Sequence, residues 1–154
     1  MKTISSFVID HDVLTRGFYL SRIDGDVITY DIRTRVPNAG DYMSNAAMHT
    51  VEHLFATFVR NSRFENEVIY FGPMGCRTGF YFLLRDSVPK KEALQLTKDA
   101  FSFIAGYEGE IPGTKKRECG NYLEHDLEKA KEEALAMLAV LSDWDETMLN
   151  YPQA

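Results

Sequence analysis

Residues 45–61 read as an amphipathic helix with two distinct faces, and this segment limits what the rest of the chain can build around it. At about 100° per residue, Ala47, Met48, Val51, Leu54, Phe55, Phe58 and Val59 fill one broad arc. His49, His53, Ala56 and Arg60 fall nearly opposite. One face therefore has to be buried under other elements, and the other has to stay open enough to present two imidazoles. His49-Thr50-Val51-Glu52-His53 is an HxxEH segment, and histidines one helical turn apart can reach the same ion. Glu52 borders the histidine face, where it can orient a ligand or carry a proton. On this segment alone a surface helix with two ordinary histidines remains an open alternative.

The partners for the apolar face come from strand-like stretches. Alternating or β-rich runs occur at residues 6–10, 18–21, 27–34, 67–71 and 79–84, with Asp24-Gly25 marking a hairpin turn. Helical periodicity returns at residues 89–105 and 122–142. Ser44 or Asn45 can cap the first helix, and Ser87 with Pro89 the second. In the third, Leu123, Leu127, Ala130, Ala134, Met137, Leu138 and Leu141 line one side, and Glu124, Glu128, Lys129, Lys131 and Glu132 form a solvated face. Strands interleaved with separate helices, rather than regular βαβ units, indicate an α+β fold: a mainly antiparallel sheet packed against three main helices. No repeat or Pro/Gly/Ser linker divides the chain, so one domain over residues 1–154 is expected.

Charge and cysteine usage narrow the function. A formal net charge of −6 argues against a nucleic-acid partner, whose sequence-independent affinity needs clustered Lys and Arg. No apolar run has the length of a signal peptide or a membrane span, which points to the cytoplasm. The 2 cysteines, Cys76 and Cys119, form no CxxC pair and fit a reducing compartment with free thiols.

A usable metal site needs a third protein ligand and an open position. Cys119, in Arg117-Glu118-Cys119-Gly120-Asn121 and just ahead of the third expected helix, is the best candidate; a small buried hydrophobe is its ordinary alternative. His125 falls within the charged helical stretch, where a surface position is commoner, and is set aside. Cys76 sits in a glycine-rich turn, Gly72-Pro73-Met74-Gly75-Cys76-Arg77-Thr78-Gly79, that presents rather than buries a side chain. Beside a cation it could remove a proton alpha to a carbonyl; away from one it merely packs in the turn.

Taken together these residues resemble the S-ribosylhomocysteine lyase family, the bacterial enzymes that make the autoinducer-2 precursor. The resemblance runs through Ser6-Phe7, Asp10-His11, Asp31-Ile32-Arg33, the His49 to Leu54 helix, Pro73 to Tyr81, Cys119-Gly120 and His125-Asp126-Leu127-Glu128. It implies one metal ion per subunit on His49, His53 and Cys119, with Cys76 and Glu52 as general acid/base groups and Ser6, His11 and Arg33 lining the substrate site. The implied ion is Fe2+, with Zn2+ or Co2+ able to occupy the same ligands. The implied reaction splits S-ribosylhomocysteine into homocysteine and 4,5-dihydroxy-2,3-pentanedione. Its steps are Lewis-acid-assisted migration of the sugar carbonyl and β-elimination of the thioether. The family also implies a homodimer with sites at the subunit interface, so that Ser6 and His11 act across the partner chain.

Two segments depart from the family pattern: Tyr70-Phe71-Gly72 stands where Asp-Ile-Ser is usual, and Thr15-Arg16-Gly17 replaces an apolar, proline-containing stretch. Two rival readings use the same HxxEH helix. An inverted-zincin peptidase would have Glu52 activate water and would take a downstream carboxylate as third ligand. A non-catalytic metal-binding module would close the coordination shell and leave Cys76 dispensable.

Overall fold

Strand β1 (Gly17–Asp24) turns into β2 (Val27–Arg33) through Gly25, whose φ of +59° lies in the left-handed region that favours glycine. A computed structural model describes residues Met1–Ala154 and shows what this hairpin joins. After β2 the chain crosses one sheet face as helix α1 (Asn45–Val59) and re-enters the sheet at its far edge as β3 (Val68–Pro73). It then turns back as β4 (Gly79–Arg85) into the gap beside β2. The resulting sheet is four-stranded and wholly antiparallel, in the order β1-β2-β4-β3. Pro73, which donates no ladder hydrogen bond, lies at the end of an edge strand, where that loss is tolerated. Helices α2 (Lys90–Ala105) and α3 (Leu127–Leu141) complete the layer over the same face.

Strand alternation sorts the side chains. Ile32 pairs with Phe18 and Phe80, and Tyr30 with Leu20 and Phe82, so these rings and chains share the helix-facing side. Phe18, Tyr30, Ile32, Phe80 and Phe82, with Val51, Leu54, Phe55 and Val59 of α1, belong to one core cluster of 27 buried residues, and Leu20 packs against it. Phe55 lies at its centre, stacked on Phe71 with ring centroids 3.8 Å apart. On the opposite side of the sheet Tyr19, Asp31 and Tyr81 lie abreast. There a groove of ≈ 660 Å³ runs between residues that include Ser6, Ser21, Arg22, Tyr70 and Tyr81.

The α+β reading holds, and three local expectations need correction. Residues 6–10 form no strand: Ser5–Phe7 is a single 3₁₀ turn, and Ile4, Phe7 and Val8 are exposed, because their alternation meets no sheet edge to pair with. The third helix begins at Leu127 rather than near residue 122. Asp126 caps it by accepting from the Lys129 N–H at 3.0 Å, and Leu123 lies outside it, fully exposed. Ser87 does not cap α2, whose N-cap position is Pro89 with no side-chain cap bond. At α1 the expected cap is present, Ser44 Oγ accepting from the Ala47 N–H at 3.1 Å. No helix is long and apolar enough to cross a membrane.

Candidate metal centre

Helix α1 buries Ala47, Met48, Val51, Leu54, Phe55 and Val59 and turns His49 and His53, both half-buried, away from the core. Each ring is then fixed by the backbone of a loop that passes over it. His49 Nδ1 donates to the Glu124 carbonyl at 2.8 Å, and His53 Nδ1 donates to the Pro112 carbonyl at 2.8 Å. A carbonyl only accepts, so both protons sit on Nδ1 and both Nε2 atoms carry free lone pairs. Gly113, next to Pro112, has φ +75°, and a Cβ there would come within 3.0 Å of His53 Nδ1. Glycine is thus what lets the 112–113 backbone close on the ring.

Cys119 meets these imidazoles from the loop between α2 and α3. Its Sγ lies 3.3 Å from His49 Nε2 and accepts the Asn121 N–H at 3.5 Å. The loop makes a local turn there rather than the first turn of α3, so the sulfur owes its position to the chain that also supplies Glu124, and not to a helix end. His49, His53, Cys119 and His125 each offer a donor atom, all within 4.8 Å of one another. Two imidazoles with free Nε2 atoms and a thiol fit a borderline divalent cation, whose preferred ligands are nitrogen and sulfur.

His125 is the member of this group that the sequence reading set aside. Since α3 starts two residues later, His125 is a loop residue held against α1 instead of a surface position on a helix. Thr50 Oγ1 anchors it, lying 3.0 Å from His125 Nδ1 while accepting the Asp126 N–H at 2.9 Å. His125 Nε2 is buried without a hydrogen-bond partner. Burial first, then the neighbouring His49 and His53, hold the His125 imidazole down to about 4, so it is neutral at ordinary pH. Its ring stacks on His49 with centroids 3.9 Å apart and planes inclined by 23°. An ion bonded to an imidazole lies close to the ring plane. Two nearly parallel rings aim their lone pairs along nearly parallel lines, so the stack sets His125 apart in orientation from His49 within the group of four donors. The sequence signal for this arrangement was Asp126, an N-cap residue directly ahead of the apolar-periodic run from Leu127, which frees His125 from the helix.

The remaining expected residues fall in three places. Glu52 is half-buried on α1 between the histidines. Cys76 is exposed in the turn between β3 and β4, where Arg77 takes φ +62°, and its Sγ lies 3.0 Å from Thr78 Oγ1. Arg33 is buried beside that turn, its Nη1 donating to Thr78 Oγ1 at 2.9 Å and its Nε and Nη2 donating to Asp31 at 3.1 and 2.6 Å. Ser6 lines the groove on the open sheet face, and His11 Nδ1 donates to the Ile9 carbonyl at 2.8 Å.

Known proteins match nearly the full chain. Residues 4–148 match the family model described as S-Ribosylhomocysteinase (LuxS). The S-ribosylhomocysteine lyase of Clostridium acetobutylicum is 43% identical over 99% of this chain and 100% of its own length. The proteins of the same name from Borreliella burgdorferi and Porphyromonas gingivalis are 45% and 46% identical, again over 99% of this chain, and over 100% and 99% of their own lengths.

Proposed function

The chain belongs to the S-ribosylhomocysteinase (LuxS) family, and from that premise we propose that His49, His53 and Cys119 hold a divalent cation beside which Cys76 and Glu52 move protons. The protein is a carbon–sulfur lyase: it cleaves S-ribosylhomocysteine to homocysteine and 4,5-dihydroxy-2,3-pentanedione, the autoinducer-2 precursor.

One observation carries the ligand assignment. Both α1 histidines spend Nδ1 on backbone carbonyls, which leaves two unprotonated Nε2 atoms and the Cys119 sulfur as a preorganised N₂S set. A cation held by these three donors would supply Lewis-acid polarisation of a sugar carbonyl and stabilisation of the charge that develops when an adjacent C–H is deprotonated. Cys76, presented by an exposed turn, takes and returns the carbon-bound protons that walk the carbonyl along the sugar. Loss of homocysteine thiolate from the carbon β to the final carbonyl completes the cleavage. Glu52, next to the ligand histidines on α1, carries protons between the sugar oxygens and the leaving group. Ser6, His11 and Arg33 line the substrate site, with Arg33 beside Cys76 and with Ser6 and His11 contributed across a homodimer.

The rival readings fit less well. A peptidase of the inverted-zincin type takes a carboxylate as its third ligand, whereas the donors around His49 and His53 are a thiol and an imidazole. A closed structural site needs four aimed donors, and the stack on His49 keeps His125 out of line. The N₂S set suits Fe2+ as the native ion, with Zn2+ and Co2+ as substitutes. Free thiols at Cys76 and Cys119 suit a reducing, cytoplasmic location, and one catalytic domain over residues 1–154 agrees with one shared core.

The test is anaerobic purification with metal analysis, followed by measurement of homocysteine thiol release. Cys119→Ala is expected to lose the ion. Cys76→Ala is expected to retain it and release no thiol, and Glu52→Ala to retain it and turn over about 10²- to 10⁴-fold more slowly. Equal metal content in wild type and Cys119→Ala would refute the third ligand.

A further inference from the structure

The open face of the sheet carries a continuous chain of hydrogen bonds that ends at Cys76 and starts outside the sheet. Asp31 is fully buried, and its two oxygens take up Arg33 Nε and Nη2 in a fork. Tyr151, close to the end of the chain, donates its phenolic proton to the same Asp31 Oδ2 at 2.7 Å. From Arg33 the chain continues through Nη1 to Thr78 Oγ1, and from Thr78 to Cys76 Sγ at 3.0 Å. Because Thr78 Oγ1 already accepts from Arg33, its own hydrogen is free to point at the sulfur.

The C-terminal segment is built to deliver that phenol. The Leu20 N–H donates to the Leu149 carbonyl at 2.8 Å, Leu149 is buried in the core, and Tyr151 stacks on Tyr19 with ring centroids 5.1 Å apart. Burial, with Asp31 as the next cause, pushes the Tyr151 hydroxyl far above its ordinary range, so it is a donor at every working pH.

We propose that Tyr151 is a positioning residue for Cys76, acting through Asp31, Arg33 and Thr78, so that the C-terminal segment is part of the apparatus that sets the reactivity of the proton-carrying thiol. The physical reason is the accounting at Asp31. In a buried site each carboxylate lone pair seeks a donor, and Arg33 already lends Asp31 two of its own. With the phenol in place, Oδ2 is satisfied and Nη1 stays on Thr78. Without it, Asp31 draws the guanidinium toward itself, the bond to Thr78 lengthens, and the Thr78 hydroxyl is no longer held toward Sγ. The proposal rests on the reading of Cys76 as a proton carrier, but its test does not.

The experiment is alkylation of Cys76 by iodoacetamide in the metal-loaded protein, followed by mass spectrometry of the peptide that contains it. Tyr151→Phe keeps the ring stack and removes only the hydroxyl; it is expected to slow alkylation about three- to tenfold, the scale of one hydrogen bond to a charged group passed through intermediates. Thr78→Val, which cuts the last link, is expected to slow it at least as much, and the double variant to be no slower than Thr78→Val alone. A wild-type alkylation rate in Tyr151→Phe, or additive effects in the double variant, would overturn the proposal. Should Tyr151→Phe not fold, a chain ending at Asn150 provides the same readout. Alkylation needs no turnover, so this outcome is separate from that of Cys76→Ala, which decides whether the thiol serves the reaction.

Discussion

Thr50 shows how little of the centre is carried by ligands alone. Buried on α1 one residue after His49, it spends its hydroxyl on His125 and on the Asp126 N–H, and so pins to the helix the loop that supplies Glu124 to His49. His125 then serves as a flat wall against His49. His125→Ala is therefore expected to retain the bound ion but to lower its affinity about 10- to 100-fold, the usual effect of losing a group that orients a ligand. A competition titration with a chromophoric chelator measures it, and a complete loss of binding would make His125 a ligand instead. The two α1 histidines were legible because helical spacing ties i to i+4 without any knowledge of the fold. Cys119 was offered by the need for a third ligand, with a small buried hydrophobe as its ordinary alternative, and the resemblance then singled it out. The roles of Thr50 and His125 depend on a contact across 75 positions, which no local periodicity encodes.

At the scale of elements the centre depends on how α3 and the loop before it sit against α1. Arg35, in the loop after β2, forms a two-pronged ion pair with Glu133 of α3, both side chains nearly buried, and Asp41 lies at the edge of the same guanidinium. Glu133→Ala leaves a buried cation with only an exposed partner and is expected to cost about 2–3 kcal/mol in a denaturant titration, somewhat below the value for a fully buried pair. Replacing both, Arg35→Met with Glu133→Leu, should recover most of that loss, since two apolar chains of similar volume leave no charge behind. A double variant as unstable as the single one would contradict this. The elements themselves were largely readable. Alternation located four strands and 3.6-residue periodicity located three helices, because both patterns record which side is buried. The segment at residues 6–10 misled for the same reason, as alternation says nothing about whether a neighbouring strand exists. Strand order was also out of reach: β4 enters beside β2 only because α1 carries the chain to the far edge first.

For the whole molecule the decisive fact is that the helices cover one sheet face only. On the other face a groove runs past Ser6, Tyr70 and Tyr81, and Ile4, Phe7, Val8 and Tyr70 leave apolar surface in water. A second copy of the chain laid over this face would bury those groups and bring the N-terminal Ser6 and His11 to the partner's site, as the homodimer reading requires. Complementation tests that arrangement. His11→Ala and Cys76→Ala are each expected to be inactive as pure dimers. In a hybrid, one site combines the intact Cys76 of one subunit with the intact His11 of the other, while the second site has lost both. Refolding an equal mixture gives hybrids as half of all dimers, each with one working site, so thiol release should return to about a quarter of the wild-type rate. If His11 serves the site of its own subunit, every site in the mixture lacks one residue or the other. The refolded mixture would then stay as inactive as its components.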